Sequence, residues 1–540
     1  MKKTESNNVD WKITLIPLAM IAVLSGLLMC FPEASKNTVD FLRQIFVNDF
    51  GFFYLLLGLG MILTALGVAF SKYGSIVLGN GGKPRYKTLN WGAMIFTSTM
   101  AADILYWSLI EWAYYYNATP FAMESMTLAQ KQDWASAYPL FHWGPIPWAF
   151  YILPACAYAY MMFVKHRKRQ TLSEACRPLL GDRADRMPGR LIDMIAIVGL
   201  LAGTATTFSL ATPLLSGAVG RVFGVETGKL ASILILAVIG VVFIAAVMKG
   251  MKAISWLASI CVAIFAVLLV IFWVFGPSRY MLETGITGIG TVIQNFFHMS
   301  TWMDPLRLSS TGGTGFPQDW TIFYWAYWIA WFVATPFFIA KISEGRTVRQ
   351  TILGGLSCGL LGTYTSFITF GGFGLHMQVT GQVDLAGLLE KGTPPSEVIL
   401  QIFDALPVTG IALLVLCVAM VAFYASTFDA ITLVVAGYSQ KNCRDGREPD
   451  KKLRAMWAAI FLLLPTALLF SESTLANLQT VSIIAAFPLG IIMILVVVSF
   501  FRELKGVKEK ETETVSESAE SEKFQLRGER DGDCEKRPDF

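Results

Sequence analysis

Charge is the first thing this sequence lacks. Only 15% of its 540 residues are Asp, Glu, Lys or Arg, against 54% hydrophobic. A soluble chain of this length carries about a quarter charged residues, so one large water-facing domain is excluded. The four histidines are scattered and no HExxH occurs, which removes the usual zinc-hydrolase signature. The eight cysteines (30, 156, 176, 261, 358, 417, 443 and 534) form no CxxC pair and suggest neither a disulfide framework nor a zinc site. They read as small buried hydrophobes. The first apolar stretch is long enough to span and lacks a small-residue cleavage site, so it is expected to be the first span rather than a cleavable leader.

What is present is apolar length. A spanning helix needs about 20 mainly apolar residues. Twelve segments qualify, near 11–31, 52–71, 91–115, 143–164, 191–217, 231–248, 254–276, 320–340, 352–376, 409–437, 455–471 and 478–500. The expectation is an all-α polytopic membrane protein with a short N-terminal segment (1–10), one transmembrane domain (11–500) and a separate tail (501–540). The tail is rich in Glu, Lys and Ser and is expected to be disordered, either a solvated end or a regulatory segment. Residues 278–303 read as an amphipathic surface helix, followed by a Gly-rich turn at 311–317, and 382–404 read similarly.

The net charge of +4 carries no nucleic-acid signal and reflects where the basic residues lie. The loop after the fourth span holds Lys165, Arg167, Lys168, Arg169, Arg177, Arg183, Arg186 and Arg190. The preceding loop, 117–142, holds only Lys131. Further basic clusters lie at 83–87, 341–349 and 441–454. With twelve alternating spans these all fall on one side. The positive-inside rule then puts that side, and both termini, in the cytoplasm of a cell whose inner membrane holds the protein.

Three segments carry candidate chemistry. Asp103 lies within the third span, in the run Ile95-Phe-Thr-Ser-Thr-Met-Ala-Ala-Asp103, and no lysine or arginine occurs between Lys87 and Lys131. An ionisable side chain at mid-membrane costs about 2.5–3.5 kcal/mol on insertion scales, so it normally faces a cavity, a partner or a substrate. The structural alternative is pairing with a basic residue or capping of a helix break. The second segment is Phe141-His-Trp-Gly-Pro-Ile-Pro-Trp-Ala-Phe-Tyr151. The third is Trp320-Thr-Ile-Phe-Tyr-Trp-Ala-Tyr-Trp-Ile-Ala-Trp331. Aromatic faces with one carboxylate suit an organic cation, most naturally a quaternary ammonium. An interfacial aromatic belt is the bland alternative. Ser426 and Thr427, in the tenth span, offer oxygen ligands to a small hard cation, though hydroxyls in membrane helices more often bond to backbone or neighbouring helices.

The second and third segments, with Gly203-Thr204 and Ala340-Lys-Ile-Ser-Glu-Gly-Arg-Thr-Val-Arg349, resemble the betaine/carnitine/choline transporter family. The resemblance runs from about residue 11 to 500. It implies twelve helices, the third to twelfth forming two inverted five-helix repeats of the sodium-symporter type, and a homotrimer. Such repeats place substrate near the midplane between discontinuous helices. Carried over by position, the family's aromatic box falls on Trp143, Trp148, Tyr151, Tyr327, Trp328 and Trp331. Tyr327 departs from the tryptophan associated with its position. In the family, an aspartate where Asp103 stands resembles the choline-transporting pattern, while betaine transporters have a glycine-rich stretch. The sodium site maps onto backbone near Thr97 and Met100 with the side chains of Ser426 and Thr427. The arginine of sodium-independent exchangers is Ala258 here. The implied activity is cation-coupled uptake of choline by alternating access. Betaine or carnitine transport or exchange is the alternative within the family. The coupling ion is sodium or a proton, and no other cofactor is expected. A channel or a membrane enzyme is the reading outside the family, and neither pore-lining polar rings nor a nucleophile–base pair is apparent.

Overall fold

The structure is a computed structural model that describes residues 9–79, 81, 83–98, 101–118, 120–122, 126–167, 169–247, 251–309, 315–440, 449–470 and 482–505. Among these residues the chain is helical, with two isolated β-bridges and no strand. The described residues of the twelve expected spans lie mainly on helices. They are α1 (Trp11–Cys30), α2 (Gly51–Phe70), the pair α3 (Thr88–Ser98) and α4 (Ala101–Asn117), and the pair α5 (Leu128–His142) and α6 (Pro145–Ala159). Then come α7 (Met187–Phe223), α8 (Lys229–Val247), α9 (Met251–Phe275) and α10 (Ser278–Thr301). The eighth span is split into α11 (Ile322–Ala330) and α12 (Thr335–Ile342), and α13 (Val348–Val379) follows. The chain continues through α14 (Leu385–Glu390), α15 (Pro395–Asp404), α16 (Thr409–Tyr438), α17 (Lys451–Phe470) and α18 (Ser482–Lys505). By length and composition six described helices can cross a membrane, or nine if each bent pair is one span. Residues 471 and 478–481 of the last two expected spans, the turn residues 311–314, and the tail beyond 505 lie outside the described residues.

Two expectations need correction. The loop expected at 117–142 is mostly α5. Thr127 starts it with a capping box, its hydroxyl accepting from the Gln130 N–H while the Gln130 side chain accepts from the Thr127 N–H. The polar run Gln130 to Asp133 near its start hid a helix that continues into the fourth span. The stretch 382–404 is two short helices, α14 and α15, rather than one. They are separated at Gly392, whose φ of +83° ends the first, and Pro394, which opens the second. The surface helix expected at 278–303 is α10, turned 112° from α9. It buries Met281, Gly285, Gly288 and Val292 and exposes Leu282, Ile286, Ile293 and Phe297.

The described basic loops make contacts with one another, while residues 441–448 of the cluster expected at 441–454 lie outside the described residues. The loop after α2 meets the 341–349 loop through Leu78 N–H to Arg346 O, Gly345 N–H to Leu78 O and Arg85 N–H to Glu344 O. The described N-terminus sits beside the loop after α16, with Asp10 N–H donating to Ser439 O. The end of α18 is tied to the loop after α6 by the Arg167–Glu503 ion pair. In that loop Arg177 bridges Glu174 and Asp185, and its guanidinium holds the Asp185 carboxyl below the usual range.

The long spans are interrupted where the candidate residues lie. α3 and α4 are bent by 64° across residues 99–100. α5 and α6 part at Trp143 and Gly144. α11 ends in a tight turn at Trp331–Val333, and α12 leaves at 53°. Broken helices at membrane depth are tolerated where protein or a cavity surrounds the freed backbone, so these breaks mark the interior of the fold.

Candidate functional site

The bend between α3 and α4 puts Asp103 in the first turn of α4, where the helix dipole favours an anion. The residue is only 2% exposed. The hydroxyl of Tyr327 on α11 donates to Oδ1 at 2.5 Å, and that of Thr207 on α7 donates to Oδ2 at 3.2 Å. The two hydroxyls are themselves 2.8 Å apart. Three helices thus meet at one carboxylate. Among the described residues no lysine or arginine is paired with it. The hydroxyl that distinguishes Tyr327 from a tryptophan is the group that reaches the acid.

One residue along, Trp328 is the hub of an aromatic cluster. Its ring centroid lies 5.3 Å from Trp143, 5.5 Å from Trp148 and 5.0 Å from Tyr151. The two tryptophan pairs are edge-on, the arrangement that ring quadrupoles favour. The Tyr151 hydroxyl donates to the Trp328 carbonyl at 2.8 Å, locking α6 to α11. All six candidate rings are at most 1% exposed, which rules out an interfacial belt. Four of them, Trp143, Trp148, Tyr151 and Trp328, form one cluster. Tyr327 turns instead to Asp103 and stacks on Phe323 at 5.5 Å. Trp331 starts the tight turn after α11 and lies against Gly203, where a methyl group would stand 3.4 Å from its indole nitrogen. Among the described residues the indole N–H groups of Trp148, Trp328 and Trp331 are buried without a hydrogen-bond partner.

Trp148 has its own seat. The indole lies on the backbone of Gly359 in α13, and a Cβ there would come within 2.3 Å of the ring. A rigid ring wedged between Gly359 and Trp328 has nowhere to move. Gly359→Ala should therefore displace Trp148 and lower substrate affinity by roughly 10-fold, in line with an overpacking cost of about 1–3 kcal/mol. Substrate binding to purified protein checks this, and wild-type affinity would show that the ring wall tolerates the shift.

The candidate ion ligands are less fully assembled. Thr97 is buried, with its hydroxyl donating to the carbonyl of Ala93 at 2.9 Å. Met100 lies outside the described residues. Ser426 and Thr427 are buried on α16, which packs against both α3 and α4. The Ser426 hydroxyl has no hydrogen-bond partner among the described residues. A buried orphan hydroxyl is costly unless something binds it, and a small cation needs such oxygens. Of the candidate ligands, the Ser426 hydroxyl is the one whose buried oxygen suits a small cation.

Three contributors were not singled out in the sequence. Thr207 was visible only as one of several hydroxyls in the fifth span. Glu111 and His142 form a second polar centre. The Glu111 carboxylate accepts from Trp143 Nε1 and from the Tyr115 hydroxyl, each at 2.7 Å, and lies 3.4 Å from His142 Nδ1. The absence of any basic residue from 88 to 130, which marked Asp103, marks Glu111 equally.

Comparison with known proteins follows the same lines. Residues 12–509 match the profile of the BCCT group, described as betaine/carnitine/choline family transporters. A carnitine transporter of Acinetobacter baumannii is 27% identical, the alignment covering 80% of this chain and 78% of that one. A probable glycine betaine transporter of Desulfitobacterium hafniense is 30% identical over 91% of this chain and 96% of its own. The glycine betaine transporter OpuD of Bacillus subtilis is 27% identical over 92% and 94%.

Proposed function

From the fact that this chain belongs to the betaine/carnitine/choline transporter family, we propose that it takes up choline, with a cation as the coupling ion. That it is a multi-pass membrane transporter of betaine/carnitine type, and not an enzyme, follows from the family and the relatives. The choice of choline rests on one observation: Asp103 accepts from two neutral hydroxyls, one of them on Tyr327, the residue before the aromatic hub Trp328. Betaine and carnitine bring their own carboxylate and are net neutral. Choline is a bare cation with a hydroxyl, and a fixed carboxylate in a low-dielectric site supplies its counter-charge. Its trimethylammonium group offers no hydrogen-bond donor, so rings hold it, at about 0.5–2 kcal/mol each depending on desolvation. In this reading Trp143, Trp148, Tyr151 and Trp328 wall the methyl groups, Trp331 closes the site where α11 breaks, and Tyr327 with Thr207 orients Asp103.

A second reading, glycine betaine or carnitine, is favoured by the unpartnered indole N–H groups of Trp148, Trp328 and Trp331, which a substrate carboxylate would accept from. Uptake of labelled choline, glycine betaine and carnitine into vesicles, each with and without a sodium gradient, separates the two. Choline left outside while betaine accumulates would overturn the first reading.

Sodium is the coupling ion in this account, held by Ser426, Thr427 and backbone of the α3–α4 region. The double variant Ser426→Ala/Thr427→Ala should lose sodium stimulation while retaining weak substrate binding. Uptake by the wild type that ignores sodium but collapses with the proton gradient would move the coupling to a proton. Uptake indifferent to both, yet faster with substrate on the far side, would mean exchange. The contacts among the described basic loops support a cytoplasmic-membrane orientation with both termini inside. The family resemblance supports a homotrimer.

A further inference from the structure

Trp143 sits at the junction of two helices. It caps α5 at φ −113°, ψ 21°, just before the chain turns at Gly144 into α6. Three neighbours touch the indole, Trp328 at 5.3 Å, Phe367 at 5.4 Å and Tyr324 at 5.9 Å. All three ring contacts are non-directional beside a hydrogen bond. The one directional contact is the 2.7 Å hydrogen bond from Nε1 to Glu111. Glu111 and His142 are both fully buried. The Tyr115 hydroxyl lies 2.8 Å from His142 Nδ1, and Thr321 Oγ1 lies 3.0 Å from Nε2. The imidazole also stacks on Tyr324 at 4.8 Å. The carboxylate is therefore itself held rigid. It sits two helical turns from Asp103 on the same helix, about 12 Å along the axis, too far to serve the same charge.

We propose that Glu111 is a positioning residue of the transport site: its carboxylate aims the indole of Trp143 and so sets substrate affinity. The proposal rests on Trp143 being a wall of the substrate cavity. A carboxylate buried at this depth is expensive, and a hydrophobic side chain of similar size would pack there at less cost. What the apolar side chain cannot do is accept the indole N–H. A short hydrogen bond to a carboxyl oxygen fixes both direction and distance. Without it the ring can turn about its side-chain bonds, and the face offered to a cation turns with it.

The test is a double-mutant cycle in reconstituted vesicles, using choline or glycine betaine, whichever the uptake assay finds transported. Trp143→Phe keeps a ring and removes the N–H. Glu111→Met removes the acceptor, while Glu111→Gln keeps one. Glu111→Met should raise KM about 10-fold or more with a much smaller change in maximal rate. Glu111→Gln should restore most of the affinity. In the Trp143→Phe background Glu111→Met should add nothing. Should Glu111→Met fail to reach the membrane, Glu111→Asp shortens the reach and should give the same background-dependent KM rise. Equal KM increases with and without the indole N–H would make Glu111 a packing or folding residue and overturn the proposal. So would an unchanged KM in the Glu111 variants alongside lost affinity in Trp143→Ala. Wild-type KM in Trp143→Ala would instead remove Trp143 from the cavity wall, a separate failure of the aromatic reading.

Discussion

Asp103→Asn should weaken choline transport far more than betaine transport. At about 5 Å and an effective dielectric of 20, a carboxylate attracts a unit cation by about 3 kcal/mol before desolvation is counted. A third of that changes affinity several-fold, and all of it about 100-fold. The same charge exerts little net pull on a zwitterion, whose own carboxylate it repels. Asparagine keeps an acceptor for the Tyr327 hydroxyl, and its amide N–H can donate to the Thr207 oxygen, so the size and most of the local contact survive while the charge is removed. Paired KM values for choline and betaine in the variant give the answer directly. Wild-type choline affinity in Asp103→Asn would make the acid structural and remove the main reason to choose choline.

Trp328→Ala should abolish high-affinity uptake while the protein remains in the membrane. Its ring touches three other candidate rings, so its loss opens a hole in the middle of the cluster rather than at its margin. One desolvated cation–π contact of about 2 kcal/mol corresponds to roughly 30-fold in affinity. The disordering of Trp143, Trp148 and Tyr151 adds to it. Trp328→Phe retains a π face and should recover part of the affinity, whereas a purely structural tryptophan would respond to size alone. Substrate affinity measured with membrane abundance distinguishes the two, and unaltered binding by the alanine variant would end the aromatic-cage reading.

Apolar length made the spans legible, because the bilayer demands it of every crossing. α5 escaped because a polar run lies near its start, and a helix that begins outside the hydrocarbon layer has no need of an apolar start. Asp103 stood out as a charge in an apolar run. Glu111, on the same helix, was passed over although it is more deeply buried. Its meaning depends on His142 and Trp143, which arrive from a different helix, and sequence spacing says nothing about such meetings. Residues three or four apart on a regular helix share a face. Trp148 and Tyr151 do make ring contact, at 6.5 Å. Tyr327 and Trp331 part company, because α11 ends in a tight turn at Trp331 and the regular 3.6-residue repeat ends with it. The hydroxyl at Tyr327 was noticed as a departure from pattern. Only the fold shows that its partners are Asp103 and Thr207.

The neutral company that Asp103 keeps has an electrical consequence. Among the described residues only hydroxyls attend the carboxylate, so if it is ionised in the vacant carrier that form would hold a net negative charge within the bilayer and a choline-loaded one would be balanced. Each turnover with choline also moves the cargo's own positive charge down an inside-negative voltage, worth about 2.3 kcal/mol per 100 mV. That alone supports roughly a 50-fold accumulation at that voltage. A zwitterion gains nothing from this term and must draw its whole driving force from the accompanying ion.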